Sequence, residues 1–354
     1  MNPLDITITG FGMINPVGVG AQACAAAVRA GVNQYADTPI LRSTGEAYKM
    51  ATVPDECLPE LNSDAPDSPS RLQPKALYRR MLQLGKVALT QACESANVET
   101  LIPVFLATPE QRCGLPFPAL EPMLQDLAGE VDFSLDLLTS RVFPFGRSAG
   151  MNALDEAIKL LLSTPLESII VGGVDSFLDI RLLSALDGED RLTSSTTMRG
   201  FVPGEGAAFV VLQKTVEPEL VVSLPGIGEE AGHYYSDENC LGEGLSSAVN
   251  GAVESVNAPI QSVLCSINAE PTHVKEWGIS QLRNSEAFGS DLNFQHPAEC
   301  YGDLGAATAT TLLALSAIGL TKEYYQSPLL VWCASDREQR GAVVISQNKE
   351  PTDG

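Results

Sequence analysis

The sequence has few histidines and no paired cysteines, which excludes several common kinds of site. Its three histidines, His233, His273 and His296, are too dispersed along the chain to predict a zinc site. The eight cysteines form no CxxC pair, and several fall in predicted strands or helices, as is typical of reduced, buried thiols in a cytoplasmic protein. The early "GFG" at 10–12 is not a dinucleotide fingerprint, because Pro16 stands where a helix would have to begin. We therefore expect no metal and no cofactor.

Positive charge is also scarce. The 22 lysines and arginines stand against 44 aspartates and glutamates, a formal net charge of −22. Such a surface repels phosphate backbones and anionic lipids, so nucleic-acid and membrane partners are disfavoured. The longest apolar stretch, 304–320, is too short and too rich in alanine and threonine for a membrane span, and the start of the chain has no signal-peptide pattern. One segment is basic: it contains Arg71, Lys75, Arg79, Arg80 and Lys86. It is predicted as a solvated helix face, and it is also the one obvious place where an acidic partner could bind.

Apolar, β-branched runs alternate with helical patterns along the whole chain. The strand candidates are 5–10, 102–108, 140–145, 168–173, 207–214, 219–226, 262–268, 328–334 and 341–347. The helix candidates are 20–30, 76–96, 117–128, 149–163, 242–257 and 302–318. This alternation predicts an α/β fold whose sheets are buried on both faces. The pattern runs twice, each time ending in two strands with no helix between them, so we expect a duplicated fold with halves at 1–216 and 217–354.

A short strand, a tight turn and an amphipathic helix are predicted in "RVFPFGRSAGMNALDEA" (141–157). A nucleophile at such a turn would lie beside the helix N terminus, where negative charge is stabilised. This turn instead has Gly146, Arg147 and Ser148. A guanidinium is not a nucleophile and does not lose its proton in a protein. The role of Arg147 therefore depends on what faces it in the fold.

Several motifs, in order along the chain, resemble the β-ketoacyl synthases of the thiolase-like superfamily. They are "ITGFGMINPVGVG" (8–20), "PKALYRRMLQLGKVALTQACESA" (74–96), "IIVGGVDSFLD" (169–179), "RGFVPGEGAAFVVL" (199–212) and "YGDLGAATATTLLAL" (301–315). The combination of "GGVDS" with "GFVPGEGAA" is the most specific part, and the resemblance covers nearly the whole chain. It implies the thiolase-like fold, in which two similar βαβαβαββ halves form a five-layered αβαβα core. It also implies fatty acid or polyketide biosynthesis and, usually, a homodimer.

Active members of this family use a cysteine at the strand-to-helix turn and two later histidines. The resemblance places Arg147 at the cysteine position, Glu270 at the first histidine and Asp303 at the second. The family's usual lysine falls on Ala298, and its Gly-Phe-Gly-Gly loop falls on 334–343, which has no such run. The exchange of Cys-His-His for Arg-Glu-Asp restores charge complementarity around a cation that could not be buried alone. We expect Arg147 to pair with Glu270 or Asp303 and to fill the former pocket.

Two alternatives keep a catalytic role for the chain. The pattern from Gly146 to Gly150 also matches G-x-S-x-G between a strand and a helix, with Ser148 as the nucleophile of a serine hydrolase and His273 as its base. The other alternative is an acyltransferase of the 3-oxoacyl-[acyl-carrier-protein] synthase type that uses a non-standard residue. Labelling of Ser148 by a fluorophosphonate would favour the first, and loading of an acyl group would favour the second.

The interpretation that the resemblance favours is a degenerate β-ketoacyl synthase homologue that no longer condenses acyl chains. It would act as an accessory or binding subunit, similar to a chain length factor or a scaffold. We expect a homodimer, or a heterodimer with an active ketosynthase. An acyl carrier protein is a disfavoured partner, because carrier proteins are acidic and this chain is acidic outside 71–86.

Overall fold

The computed structural model describes residues 5–62, 75–112, 120 and 122–348, which form an α/β fold. Up to residue 215 its strands and helices are β1 (Asp5–Asn15), β2 (Gly18–Val19), α1 (Ala21–Arg29), β3 (Ala36–Leu41), β4 (Ala47–Met50), α2 (Lys75–Ser95), β5 (Val104–Ala107), α3 (Met123–Glu130), β6 (Arg141–Phe143), α4 (Ala149–Ser163), β7 (Ser168–Ser176), α5 (Ile180–Gly188) and β8 (Glu205–Thr215). From residue 220 they are β9 (Leu220–Val222), β10 (Gly226–Glu229), α6 (Glu243–Val253), β11 (Ile260–Cys265), α7 (Pro271–Arg283), β12 (Phe288–Gln295), α8 (Ala298–Tyr301), α9 (Thr308–Thr321), β13 (Leu329–Ala334) and β14 (Gln339–Gln347). None of the described helices has the length and apolar character needed to cross a bilayer.

The strands form two large mixed sheets that share one strand order. The first sheet runs β2-β1-β8-β7-β5-β6, and the second runs β10-β14-β13-β11-β12. In the first sheet β8 is antiparallel to β1 and β7, and in the second β14 is antiparallel to β10 and β13. β5 and β11 are each parallel to the strands on both sides. The N-terminal and C-terminal parts of the chain therefore repeat one topology. Within each part, crossover connections join the parallel strands.

Three helical layers enclose the two sheets. α2 packs on the outer face of the first sheet, where the apolar side of this amphipathic helix meets residues such as Phe209. α4 and α9 lie between the sheets, and α9 is buried along nearly its whole length because it is apolar on every side. α6 and α7 cover the outer face of the second sheet, where Trp277 stacks on Trp332. The order of layers is αβαβα, as the resemblance to the β-ketoacyl synthases implied.

Shortly before each central helix stands a glycine that no other residue would replace easily. Gly146, before α4, has φ +67°, and Gly305, before α9, has φ +51°, a region that side chains disfavour. A Cβ atom at Gly146 would lie 2.4 Å from Oε1 of Glu110, and one at Gly305 would lie 1.9 Å from Oδ2 of Asp175. Each glycine is the first residue of one turn of 3-10 helix, Gly146–Ser148 or Gly305–Ala307, and the α-helix starts directly after that turn. The two turns have a common design because the two halves share one topology.

Several elements differ from the sequence predictions. α5 lies between β7 and β8, where the repeated pattern predicted a direct strand pair. The helix predicted over 302–318 begins at Thr308, because the 3-10 turn at Gly305–Ala307 precedes it. The strand predicted over 219–226 is split between β9 and β10. The β3–β4 hairpin, α7 and β12 were not predicted. The predicted loop at 54–72 and the predicted start of a helix at 117 lie partly outside the described residues.

Candidate functional site

Arg147 occupies the turn before α4, and it is only 3% exposed. Its Nε donates a hydrogen bond to Oδ2 of Asp303 at 2.7 Å, and its Nη2 donates to the same oxygen. Its Nη1 donates to Oδ1 of Asp336 at 2.6 Å. Asp303 lies shortly before α9, and Asp336 lies in the turn between β13 and β14. One buried guanidinium therefore joins three segments through charge-assisted hydrogen bonds, which are the stronger kind.

A second buried arginine, Arg191, lies beside the first. Its Nε and Nη2 donate to the two oxygens of Glu270 at 2.7 Å and 2.9 Å, a fork that matches the shape of a carboxylate. Its Nη1 and Nη2 also donate to Asp336, at 2.8 Å and 2.9 Å. The ring of Tyr234 covers this guanidinium, with its centre 4.1 Å from the Arg191 Cζ atom. Asp336 thus bridges the two arginines.

Asn268 connects the remaining members of this group. Its Nδ2 donates to Oδ2 of Asp303 at 2.7 Å and to Oε2 of Glu270 at 3.1 Å. Its Oδ1 accepts a hydrogen bond from the backbone N–H of Glu270 at 3.2 Å, at the residue that directly precedes α7. We call the five charged side chains the ion-pair cluster: Arg147, Arg191, Glu270, Asp303 and Asp336. Every one of them is at least nine-tenths buried.

The two arginines keep the buried aspartates ionised. Burial alone would raise the pKa of Asp303, but the Arg147 charge and its hydrogen bonds outweigh burial and hold that pKa below its usual range. Burial acts in the same direction on Asp336, and there the charges of Arg147 and Arg191 hold the pKa well below its usual range. The interior of the cluster is therefore ionic at neutral pH. An isolated ion at this depth would be far less stable than the paired ones.

A further carboxylate, Glu110, lies against the cluster. Its two oxygens accept the backbone N–H groups of Asp336 and Arg337, each at 3.0 Å, and so hold the β13–β14 turn. Burial, followed by the negative charge of Asp336, raises the pKa of Glu110 to about 7, although the Arg147 charge acts in the opposite direction. Glu110 also faces Gly146, whose lack of a side chain leaves room for this carboxylate.

His273 lies in the first turn of α7 and is 5% exposed. Burial, together with the Arg147 charge, lowers the pKa of this imidazole to about 4, so it is neutral at pH 7. Its Nδ1 is buried and has no hydrogen-bond partner among the described residues. One ring nitrogen lies with carboxylate oxygens of Glu270 and Asp336 in a group whose atoms are all within 4.8 Å of one another. No other described residues form such a metal-sized group of His, Cys, Asp and Glu.

Ser148, the alternative nucleophile, is fully buried. Its backbone N–H donates to Oγ of Ser335 at 2.9 Å, but its own Oγ has no hydrogen-bond partner in the described part of the chain. A serine nucleophile is activated by a base within hydrogen-bond reach. No hydrogen bond therefore joins Ser148 to His273 in this structure, and substrate has no open approach to the hydroxyl.

A groove of about 730 Å3 reaches the cluster from the surface. Asn268 and Asp303 lie on its floor, and its walls are largely apolar: they include Val202, Ile267, Val274, Trp277 and Phe294. Met198 stands at the groove with 89% of its surface exposed. Asn268 and Asp303 are hydrogen-bonded to each other, so the floor of the groove is part of the same bonded group as the buried arginines.

The basic segment predicted from the sequence offers fewer free cations than its composition implies. Arg80 forms an ion pair with the buried Glu205 at 2.7 Å, and Lys86 forms one with the buried Glu130 at 3.0 Å. Arg71 lies outside the described residues, and the structure places Lys75 at the start of α2. The two paired side chains support the fold, which leaves less positive charge to attract an acidic partner.

The structure brings together some of the predicted site residues and adds others. Arg147 forms an ion pair with Asp303, while Glu270 forms one with Arg191. Ala298, the position predicted for the family's lysine, is half-buried in α8 at the groove. Sequence reasoning missed Arg191, Asp336, Asn268 and Glu110. Two of these lay in segments that the resemblance singled out: Asn268 opens the segment aligned around Glu270, and Asp336 lies in the one aligned with the family's glycine-rich loop.

Solved structures of ketosynthases are similar to this chain over nearly its whole length. One is a type II polyketide synthase acyl-carrier protein in complex with its ketosynthase bound to the hexaketide, at a TM-score of 0.76 and 13% identity, covering 98% of this chain and 100% of that one. A second is the ketosynthase from module 6 of the bacillaene synthase of Bacillus subtilis 168, at a TM-score of 0.75 and 13% identity, covering 98% and 72%. A third is a ketosynthase in complex with its chain length factor from Xenorhabdus doucetiae, at a TM-score of 0.72 and 15% identity, covering 97% and 98%.

No protein-family model and no curated protein matches the chain. At sequence identities this low, structural similarity indicates a shared fold and gives no information on the reaction. The shared fold is also indicated by the two mixed sheets, their repeated strand order and the five layers. The chain has the thiolase-like fold that ketosynthases and the ketosynthase–chain length factor complexes share.

Proposed function

We propose that this protein is a non-condensing, ketosynthase-like subunit that has exchanged the Cys-His-His triad for an internal ion-pair cluster. One observation carries the proposal. Arg147, which the resemblance aligns with the family's cysteine, is buried and donates to Asp303 and Asp336, while Glu270 accepts hydrogen bonds from Arg191. The side chains at all three triad positions are therefore engaged with buried partners. None of them is free to form a thioester or to activate a thioester carbonyl.

The partner that we propose is an active ketosynthase or a second copy of this chain. Two of the similar solved structures are ketosynthase–chain length factor complexes. In this chain β6 is an edge strand: no described strand pairs with its outer side. Beside it, Leu138 is fully exposed and Leu137 is 42% exposed. An open edge with exposed leucines favours association through strand pairing, and it lies within a few residues of Arg147.

We further propose that the chain is organised as two thiolase-like halves, 1–216 and 217–354. The shared strand order supports this division, because β1, β2 and β5 to β8 build one large sheet and β9 to β14 build the other. The ion-pair cluster takes Arg147 and Arg191 from the first half and its three acids from the second. Its hydrogen bonds therefore fasten the halves to each other, and this gives the cluster a structural role in the absence of condensation.

The proposed pairing is tested by co-expression with each ketosynthase encoded by the source organism, followed by affinity purification and mass measurement of the complex in solution. We expect a stable dimer, and we expect Leu138→Glu to weaken it by placing a charge at the edge. Leu282→Glu is the matched control, because Leu282 is 78% exposed but lies on α7. A monomer under all conditions, or equal loss in both variants, would contradict the partnership.

The proposed loss of condensation is tested separately with the purified chain. Incubation with acyl and malonyl carrier protein should give no β-ketoacyl product and no carbon dioxide. Product formation would instead favour the 3-oxoacyl synthase alternative. Labelling of Ser148 by a fluorophosphonate would favour the serine hydrolase. We do not expect labelling, because the Ser148 hydroxyl is buried and has no hydrogen-bond partner among the described residues.

A further inference from the structure

The buried charges around Arg147 do not balance. Among side chains that are at least nine-tenths buried, Glu110, Glu270, Asp303 and Asp336 contribute four carboxylates, and Arg147 and Arg191 contribute two guanidiniums. Two neighbouring pairs cancel: Arg340 with Glu276 at 2.6 Å, and Arg112 with the buried Asp175 at 2.8 Å. Full ionisation therefore leaves a surplus of two negative charges in a region with little water. Such a region takes up positive charge from outside, either as protons or as a bound cation.

The imidazole of His273 lies beside two of these carboxylates, those of Glu270 and Asp336. The His273 side chain is only 5% exposed, and its Nδ1 makes no hydrogen bond with the described residues. A buried polar atom in this state costs free energy unless a ligand or water completes it. One nitrogen of the ring and carboxylate oxygens of Glu270 and Asp336 all lie within 4.8 Å of one another.

The carboxylates retain the capacity to bind a metal while both arginines stay in place. Oε1 of Glu270 accepts one hydrogen bond, from Arg191 Nε, and Oδ2 of Asp336 accepts one, from Arg191 Nη1. A carboxylate oxygen has two lone pairs, so each of these oxygens keeps one. One imidazole nitrogen with two carboxylate oxygens is a donor set that suits Zn2+ and neighbouring first-row divalent ions, with water completing the coordination.

We propose that Glu270, His273 and Asp336 bind one divalent transition-metal ion of the Zn2+ class, which balances the surplus charge of the buried cluster. The ion would connect the start of α7 to the β13–β14 turn and would have a structural role. This inference does not depend on which partner the chain has or on whether it condenses acyl groups.

Cobalt provides a direct test, because Co2+ bound to nitrogen and oxygen ligands absorbs visible light. The full chain is stripped with a chelator and titrated with Co2+ near neutral pH. We expect one ion per chain, displaced by Zn2+, and at least about 100-fold weaker binding in His273→Gln, since even outer-shell changes cost 10- to 100-fold. His296→Gln is the matched control: His296 also lies beside a carboxylate, 3.3 Å from Glu299, but at the surface. Its affinity should be unchanged.

Three results would overturn the site. They are no Co2+ binding by the wild-type chain, equal losses in the two histidine variants, and charge balance by protons alone, seen as proton uptake with no metal bound. If His273→Gln does not fold, anomalous scattering from crystals of the wild-type protein soaked in Zn2+ decides the question. A peak between the three side chains supports the site, and peaks only at the surface refute it.

Discussion

Replacing Arg147 with methionine should be one of the most damaging single changes in this protein. Methionine fills much of the same space but leaves two buried carboxylates without one of their cations. Asp336 would keep Arg191, whereas the donors left to Asp303 among the described residues would be the Asn268 amide and the Gly305 N–H. Removing one partner of a buried ion pair costs about 3–5 kcal/mol. We expect the free energy of unfolding in urea to fall by about that amount.

Two comparisons separate this effect from a general loss of charge or packing. Arg141→Met removes an arginine six positions earlier, whose pair with Glu156 is exposed, so it should cost less than about 1 kcal/mol. Adding Asp303→Asn to Arg147→Met should cost less than the sum of the two single changes, because the stranded carboxylate is then neutral. If Arg147→Met were no more costly than Arg141→Met, the buried cluster would not contribute to stability as argued here.

Three further predictions follow from the same surroundings. Gly146→Ala should destabilise the fold by more than about 1 kcal/mol, because its φ is +67° and the new methyl would meet Glu110, whereas Gly278→Ala, on α7 with open space beside it, should be neutral or stabilising in the same urea assay. In chelator, the free energy of unfolding of the wild type should fall by about 3 kcal/mol relative to that of Glu110→Gln as pH rises from 4.5 to 7. The raised pKa of Glu110 stabilises the folded state at low pH, and this stabilisation is lost as the pH approaches 7. A difference between the two proteins that does not change with pH would refute this. Burial raises the pKa of Cys24 to about 12, so iodoacetamide at pH 8 should alkylate the partly exposed Cys57 and leave Cys24 unmodified in peptide mass spectra; equal modification would contradict the buried-thiol assignment.

The sequence predicted the elements whose patterns are local. β7, β8 and α4 are strongly apolar or amphipathic, and each was expected within a few residues of its position. α7 was missed because its polar residues hide a short apolar face around Trp277, although Pro271 at its first position is a common helix start. β12 was missed because it is an edge strand whose residues are mostly half-buried or exposed, so its alternation is weak.

The candidate site was predictable only in part, for a physical reason. Arg147 could be singled out because a charged residue at a strand-to-helix turn contradicts the local pattern. Arg191 and Asp336 could not, because they are 145 residues apart and meet only through the packing of two halves. No local periodicity records such a contact. Pairing by charge was the correct principle, but choosing which acid meets which arginine required the coordinates.

The intact mass of the protein after incubation with acyl-coenzyme A and acyl carrier protein shows whether any residue of the site still accepts an acyl group. An arginine held between two aspartates accepts no acyl group, so the mass should not change, even at saturating donor concentration. A stoichiometric acyl adduct on any residue that lines the groove or the cluster would contradict the account, because the site would then still perform the first step of condensation.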